Sequence, residues 1–233
     1  MAGKITLRRK TVTVDIGGIP MGSGHPVRIQ SMANTPTSNV EASVEQCRRI
    51  IQAGADYVRF TVPAMNDAEP LAAIRSALRG EGLQTPLIAD VHFNAEIAFK
   101  VAGVTDKVRI NPGNFAAGGE AFREKLLTLI SICRSHGVAL RIGVNHGSLS
   151  PWIMDRYGDT PEGMAESAME YLRVCREAAF DQVVVSMKAS NVLVMVAATR
   201  LVARRMDREG MHFPLHLGVT EAGEGEDGRI KSA

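Results

Sequence analysis

A cation and an amide share one face of a short predicted strand, Leu140–Asn145. Side chains alternate along a strand, so Arg141 lies on the same face as Gly143 and Asn145. By the same rule Arg109 shares a face with Asn111. A charge in a strand that is covered on both sides is costly unless it is paired. These segments therefore predict a facing anion, which is either a carboxylate of the protein or a ligand.

The same arrangement, an arginine between apolar residues, recurs in the sequence. It is found at Val27-Arg28-Ile29, Val58-Arg59-Phe60, Val108-Arg109-Ile110 and Leu140-Arg141-Ile142. We expect these four arginines at an equivalent height in neighbouring strands. A single one, such as Arg28 or Arg59, usually pairs with a nearby carboxylate. As a group, Arg59, Arg109, Arg141 and Lys188 outnumber Asp90 and Glu221 by two charges, which suits a phosphorylated ligand.

Three further residues leave alternatives open. Lys188 is either a phosphate clamp or a Schiff-base lysine, since burial lowers the pKa of an amine. His92 follows Asp90 by two residues, and this pair suits a proton donor, a hydrogen-bonded core pair or half of a metal site. A metal site is the weakest of these alternatives because no third metal-ligating residue lies at a recognisable spacing in the sequence, so we predict no metal here. Glu221 is either an acid or base, or a partner for an arginine.

Composition narrows the class of protein. The 233 residues are 45% hydrophobic and 22% charged, which suits one globular domain with a sizeable core. The formal net charge of +2, without a run of basic residues, argues against nucleic acid as a partner. Cys47, Cys133 and Cys175 are far apart in the sequence. We predict that they are reduced thiols packed as small apolar groups. Neither a signal peptide nor an apolar run of the ~18 residues needed to span a membrane is found, so we expect a cytoplasmic protein without a membrane partner.

Hydrophobic periodicity predicts a single α/β domain over residues 1–233. Residues 1–24 form a hairpin of Thr11–Val14 and Ile19–Met21, and residues 25–233 form seven strand–helix units. The predicted strands are 27–32, 57–62, 87–92, 107–111, 140–145, 182–188 and 215–220. This alternation without a G-x-G-x-x-G motif favours a TIM (β/α)8-type barrel. The sequence stops before an eighth strand, so we expect the barrel to lack it.

The polar residues at the predicted strand ends also carry a resemblance. Together they resemble the 4-hydroxy-3-methylbut-2-enyl diphosphate synthase family, from about Thr11 onward. The matching stretches are Ile29-Gln-Ser-Met32, Val58-Arg59, Ala89-Asp-Val-His-Phe93, Val108-Arg-Ile-Asn-Pro-Gly-Asn114, Arg141-Ile-Gly-Val-Asn145, Gly147-Ser148, Ser186-Met-Lys-Ala-Ser190, Leu215-His-Leu-Gly-Val-Thr-Glu-Ala-Gly223 and Lys231-Ser-Ala233. Each motif is weak alone, but their order along the chain makes the resemblance specific.

The resemblance implies an oxidoreductase of the non-mevalonate isoprenoid pathway. Its reaction is the reductive opening and dehydroxylation of 2-C-methyl-D-erythritol 2,4-cyclodiphosphate, with ferredoxin or flavodoxin as electron donor. On the matching positions it implies a diphosphate-binding set, a proton-transfer role for Glu221 and support of His92 by Asp90. The implied diphosphate-binding set is Arg59, His92, Arg109, Asn111, Arg141, Asn145 and Lys188.

The resemblance also implies a [4Fe-4S] cluster, held by three cysteines and a glutamate in a carboxyl-terminal domain that this chain lacks. Single thiols in separate helices cannot converge on one cluster, so the three cysteines present are not those ligands. We therefore expect a substrate-binding barrel that is inactive alone and a possible homodimer. The alternatives are another phosphate-binding barrel, either a Schiff-base lyase or a pterin-type transferase, and a non-catalytic diphosphate-binding fragment.

Overall fold

A computed structural model of the chain describes residues 8–116 and 120–232. Its centre is a parallel sheet of six strands, paired in chain order. The strands are β3 (Gln30–Met32), β4 (Tyr57–Val62), β5 (Leu87–Val91), β6 (Lys107–Ile110), β7 (Ala139–Asn145) and β8 (Val183–Lys188), and a separate antiparallel hairpin consists of β1 (Val14–Ile16) and β2 (Ile19–Met21). The curled parallel sheet with helices confirms the predicted TIM-barrel class.

Helices follow the strands and cover the outer face of the sheet. They are α1 (Val40–Gln52), α2 (Ala68–Gly80), α3 (Ala95–Val101), α4 (Pro112–Phe115), α5 (Glu120–His136), α6 (Pro151–Tyr157), α7 (Pro161–Glu177), α8 (Val192–Arg208) and α9 (Gly225–Ser232), with a 3₁₀ turn at Met65–Asp67. Their apolar faces and the outward-facing strand residues form the main core. No helix among the described residues is long and apolar enough to cross a membrane.

Asparagine and threonine side chains fix where several helices begin. Asn39 accepts a hydrogen bond from the backbone N–H of Ala42, so α1 begins at Val40. Asn94 and Asn191 cap α3 and α8 in the same way, and Thr160 caps α7. These caps satisfy N–H groups that have no partner inside the helix.

The hairpin covers the amino-terminal ends of the strands. Val14 and Ile16 are fully buried in a second apolar cluster, which includes Tyr57, Ile88 and Ala139. The Tyr57 hydroxyl donates a 2.9 Å hydrogen bond to the carbonyl oxygen of Ile19. This end of the sheet is therefore closed by packing, and the other end carries the polar loops.

The predicted seventh strand is wrong as a full strand. Residues 215–220 contribute a single parallel bridge, between Leu215 and Val185, with hydrogen bonds on either side of it. Among the described residues, this segment has β8 on one side and no strand on the other. β3 is the other edge of the sheet, and a cavity of about 500 Å³ lies between it and Pro214–Gly218. The described sheet is therefore open at this seam, and without a second neighbour residues 216–220 lack a full set of ladder hydrogen bonds.

Replacement of Gly113 by alanine tests how tightly the loops at the polar end are packed. A Cβ atom on Gly113 would lie 1.6 Å from the carbonyl oxygen of Ser148, whereas one on Gly80 would meet nothing within 4 Å. We expect Gly113→Ala to lower the free energy of unfolding by about 1–3 kcal/mol because the backbone must move apart. Gly80→Ala, the control, should change it by less than about 1 kcal/mol. Equal urea midpoints for the two variants would contradict this packing.

Candidate functional site

Three neighbouring strands place charged side chains on the inner face of the sheet at one level. The ladder pairs Asp90 of β5 with Arg109 of β6, and Arg109 with Arg141 of β7. The exposed fractions of these residues are 3%, 3% and 0%. Adjacent register partners on a parallel sheet point the same way, so Arg109 and Arg141 stand at one height, as predicted for these strand arginines, and the register brings Asp90 beside them. The structure brings together the centre of the predicted site.

Arg109 is the most connected of these side chains. Its Nη1 donates to Asp90 Oδ1 at 2.8 Å and to His92 Nε2 at 2.9 Å. Its Nη2 donates to the carbonyl oxygen of Gly143 at 2.8 Å and to Asn145 Oδ1 at 3.1 Å. A Cβ atom on Gly143 would lie 2.5 Å from Arg109 Nε, so this glycine makes room for the guanidinium. Four residues, from β5 with its carboxyl-terminal loop and from β7, are thus held around one planar cation.

The hydrogen bond from Arg109 also fixes the form of His92. An arginine only donates, so His92 Nε2 must accept, and the ring is then neutral with its proton on Nδ1. Burial lowers the pKa of His92, and the nearby guanidinium groups lower it further against the attraction of Asp90. Asp90 Oδ1 lies 3.6 Å from Nε2, which is beyond a hydrogen bond. Asp90 therefore orients His92 through Arg109, and the direct hydrogen bond between Asp90 and His92 that the sequence allowed is not formed.

Two further guanidinium groups lack partners for buried nitrogen atoms. Arg141 is fully buried, and its Nε and Nη1 have no hydrogen-bond acceptor. Arg59 Nε lies 3.5 Å from Asp90 Oδ2 but makes no hydrogen bond. Burial lowers the pKa of Arg141 and of Arg59, and repulsion between the guanidinium groups adds to this effect. Buried donors without acceptors are costly, which marks this space as a place for an anion.

The remaining predicted residues stand in different positions. Lys188 is the register partner of Asn145 and is half-buried. Burial and the charges of Arg141 and Arg59 lower its pKa to about 7. Asn111 is buried, and its Oδ1 accepts from the N–H of Gly113 at the start of α4. Glu221 is exposed with a positive φ of 52°, and no described residue is bonded to its carboxylate, so its predicted proton-transfer role stays a prediction.

Arg28 does not share the height of the other arginines. It precedes β3, and its Nη1 lies 3.2 Å from Asp56 Oδ1 while its Nε donates to the carbonyl oxygen of Pro20. The expectation of four arginines at one level is therefore wrong for Arg28. Its pairing with a carboxylate, which we expect of a single strand arginine, is confirmed.

Sequence reasoning missed several residues of the inner face. Lys107 is fully buried and shares the inner face of β6 with Arg109, a placement that the alternation rule could have given. His216, next to the Leu215 bridge, is half-buried, and burial and nearby cations lower its pKa well below the usual value. Ser186 Oγ and Gln30 Oε1 are buried without partners. His216 could not be placed from the sequence, because the strand predicted over residues 215–220 forms only the bridge at Leu215.

The described cysteines do not fit an iron–sulfur centre. Cys47, Cys133 and Cys175 are fully buried in α1, α5 and α7. Burial raises the pKa of each thiol to about 12. Cluster ligands are thiolates that converge on one iron centre, whereas these are protonated thiols packed in the core. Within residues 8–116 and 120–232, no three side chains of histidine, cysteine, aspartate or glutamate converge as a metal site.

The fold and the inner face define an α/β barrel-type protein whose interior is lined by an excess of buried cations. The sequence matches the GcpE TIM-barrel domain over residues 11–233, and the chain belongs to that family. A 4-hydroxy-3-methylbut-2-en-1-yl diphosphate synthase (flavodoxin) of Parabacteroides distasonis is 54% identical over 97% of this chain. The (ferredoxin) enzyme of Synechococcus sp. CC9605 is 49% identical over the same share. The chain spans only 40% and 61% of these two relatives.

Solved structures with the same fold are distant in sequence. The 3-dehydroquinate dehydratase of Geobacillus kaustophilus superposes with a TM-score of 0.61 at 14% identity, over 90% of this chain and 79% of that one. The dihydropteroate synthase of Xanthomonas albilineans has a TM-score of 0.58 at 14% identity, over 88% of this chain and 76% of that one. These likenesses confirm the barrel-type fold.

The pKa of Lys188 leads to a testable pH dependence of stability. Its folded-state pKa of about 7 lies below the ordinary value of 10.5, so between these values the unfolded chain binds a proton that the folded chain does not. Stability from this group is therefore gained as pH rises through 7, by about 1 kcal/mol per pH unit. We expect urea unfolding to show this rise between pH 7 and 8.5, and Lys188→Met to flatten it. An unchanged slope in the variant would contradict the assignment.

Proposed function

We propose that this chain is the substrate-binding barrel of a 4-hydroxy-3-methylbut-2-en-1-yl diphosphate synthase. The observation that carries the proposal is the fully buried Arg141, whose Nε and Nη1 lack acceptors beside Arg59 and Arg109. Guanidinium groups match phosphate oxygens in geometry and charge. A cyclic diphosphate supplies both the negative charge and the acceptors that these groups lack.

The inner face suggests a division of roles. Arg109, already fixed by Asp90 and Asn145, would orient the diphosphate, and Arg59, Arg141 and Lys188 would neutralise it. Neutral His92 can donate from Nδ1 to a substrate oxygen. Glu221, in the loop after Leu215, is the proposed proton donor to the departing hydroxyl. Because it is now exposed, this role requires the loop to close over the substrate.

The proposal assigns no redox chemistry to the described residues. A [4Fe-4S] cluster would supply two electrons from ferredoxin or flavodoxin, the donors that the relatives' names give. The three thiols described above do not fit that cluster, so no electron-transfer step is assigned to these residues. The role proposed for the described residues is therefore substrate binding and proton transfer, and turnover would also need the cluster. The proposal also includes a cytoplasmic location, which the reduced buried thiols support. A homodimer is its last part.

Calorimetric titration with 2-C-methyl-D-erythritol 2,4-cyclodiphosphate tests the proposal. We expect Arg141→Ala and Arg109→Ala to weaken binding by about 1.5–3 kcal/mol each, the range for a hydrogen bond to a charged group. Arg204→Ala is the matched control, because Arg204 is an exposed arginine on the outer helix α8. Affinities that are equal in all three variants would contradict a diphosphate site on the inner face.

A second candidate, a Schiff-base lyase, is favoured by one observation. With a pKa of about 7, Lys188 is largely a free amine near neutral pH and could attack a carbonyl group. The nearby guanidinium groups explain the same pKa without a covalent role.

Borohydride reduction in the presence of a phosphorylated ketone, such as dihydroxyacetone phosphate, separates the two candidates. The diphosphate proposal predicts no reduced adduct at Lys188 by mass spectrometry, because the lysine then acts as a charge and not as a nucleophile. The exposed Lys100 serves as the internal reference for non-specific reaction. A stoichiometric adduct at Lys188 would favour the lyase.

A further inference from the structure

Lys107 lies one layer below the charged residues of the site, and its amine has neither a hydrogen-bond nor a salt-bridge partner in the part of the chain that the structure describes. It precedes Arg109 by two residues on β6, and its register partners are Ile88 and Ala139. The side chain is fully buried, and Nζ has no hydrogen-bond acceptor. Nζ lies over the ring of Tyr57, 4.8 Å from its centroid. An apolar floor therefore lies beneath this amine and a layer of cations above it.

Among the described residues, no carboxylate is positioned to neutralise Lys107. On β4 it faces Tyr57 and Arg59, on β7 Arg141, and after β8 His216. Asp90, on β5, is bound to Arg109 and lies close to Arg59. Asp106, its neighbour in sequence, pairs with Arg75 instead. Burial, and then the charges of Arg141 and Arg59, lower the pKa of Lys107 well below 10.5.

A buried, unpaired ammonium group weakens a fold, and an apolar side chain of the same length would remove that penalty. We propose that Lys107 is a positioning residue of the anion site, which is a free amine while the barrel is empty and takes up a proton from solvent when a polyphosphate enters above it. The bound anion is then neutralised by two layers of cations. This inference rests on the proposed anion site but not on the identity of its ligand.

The experiment uses inorganic pyrophosphate as the probe. Titration calorimetry at pH 8 in two buffers that differ in ionisation enthalpy gives the number of protons taken up on binding. We expect uptake by the wild-type chain, and in Lys107→Met an uptake smaller by about one proton with an affinity about tenfold weaker. Lys100→Met is the control, because Lys100 is a lysine on the outer surface paired with Glu69, and it should match the wild type.

Folding stability separates this role from a structural one. A structural contact between Lys107 and Tyr57 predicts that Lys107→Met unfolds at lower urea concentration, or does not fold. The proposed role predicts a higher urea midpoint without pyrophosphate, because a costly buried amine is removed. A lower midpoint, a variant that does not fold, or an undiminished proton uptake in the variant would overturn the inference.

The wild-type titration tests the inference independently of any variant. Pyrophosphate binding without proton uptake would overturn the role of Lys107 and leave the proposed anion site standing. No pyrophosphate binding at millimolar concentration would overturn both.

Discussion

An excess of buried positive charge on the inner face of the sheet is the constraint on which the rest of this structure depends. The guanidinium groups of Arg59, Arg109 and Arg141 face inward together with the amines of Lys107 and Lys188, and Asp90 is the carboxylate bonded to this group. Charges that are removed from water and left unpaired are unstable in a protein interior unless the surrounding fold holds them there. The outer face of the strands, packed against the helices, supplies that support through an extensive apolar core.

Several details of the fold serve to hold these cations in place. The hairpin seals the amino-terminal end with Val14 and Ile16, so the charged layer is accessible from the loop end. Gly143 leaves space for the guanidinium of Arg109, and the carbonyl oxygen of Gly143 accepts one of its hydrogen bonds. A side chain at this position would displace the residue that connects Asp90, His92 and Asn145. The glycine is therefore part of the site although it carries no functional group.

Residue patterns predicted much of this arrangement because alternation along a strand is a local property. Arg109, Arg141 and Asn145 could be placed on one face from spacing alone, and the register of the parallel strands then brought Asp90 to them. Pairing across the sheet is not local. For this reason Arg28 was placed at the wrong height, and the extent of the strand at Leu215 was overestimated. The buried nitrogen atoms of Arg141 and Lys107 lack hydrogen-bond acceptors among the described residues. This could be learned only from three-dimensional contacts.

The open seam lowers the stability of the fold, whereas an anion bound at the charged interior would raise it. At the seam, β3 and the Leu215 segment each lack a second neighbouring strand among the described residues. Nearby, Val27, Ile29 and Leu217 have exposed fractions of 78%, 61% and 66%. Exposed apolar groups and unpaired strand edges reduce stability and favour association. An anion on the inner face would relieve the repulsion among the cations. Because a ligand that binds only the folded state stabilises it by mass action, the site itself can compensate for part of the stability lost at the seam.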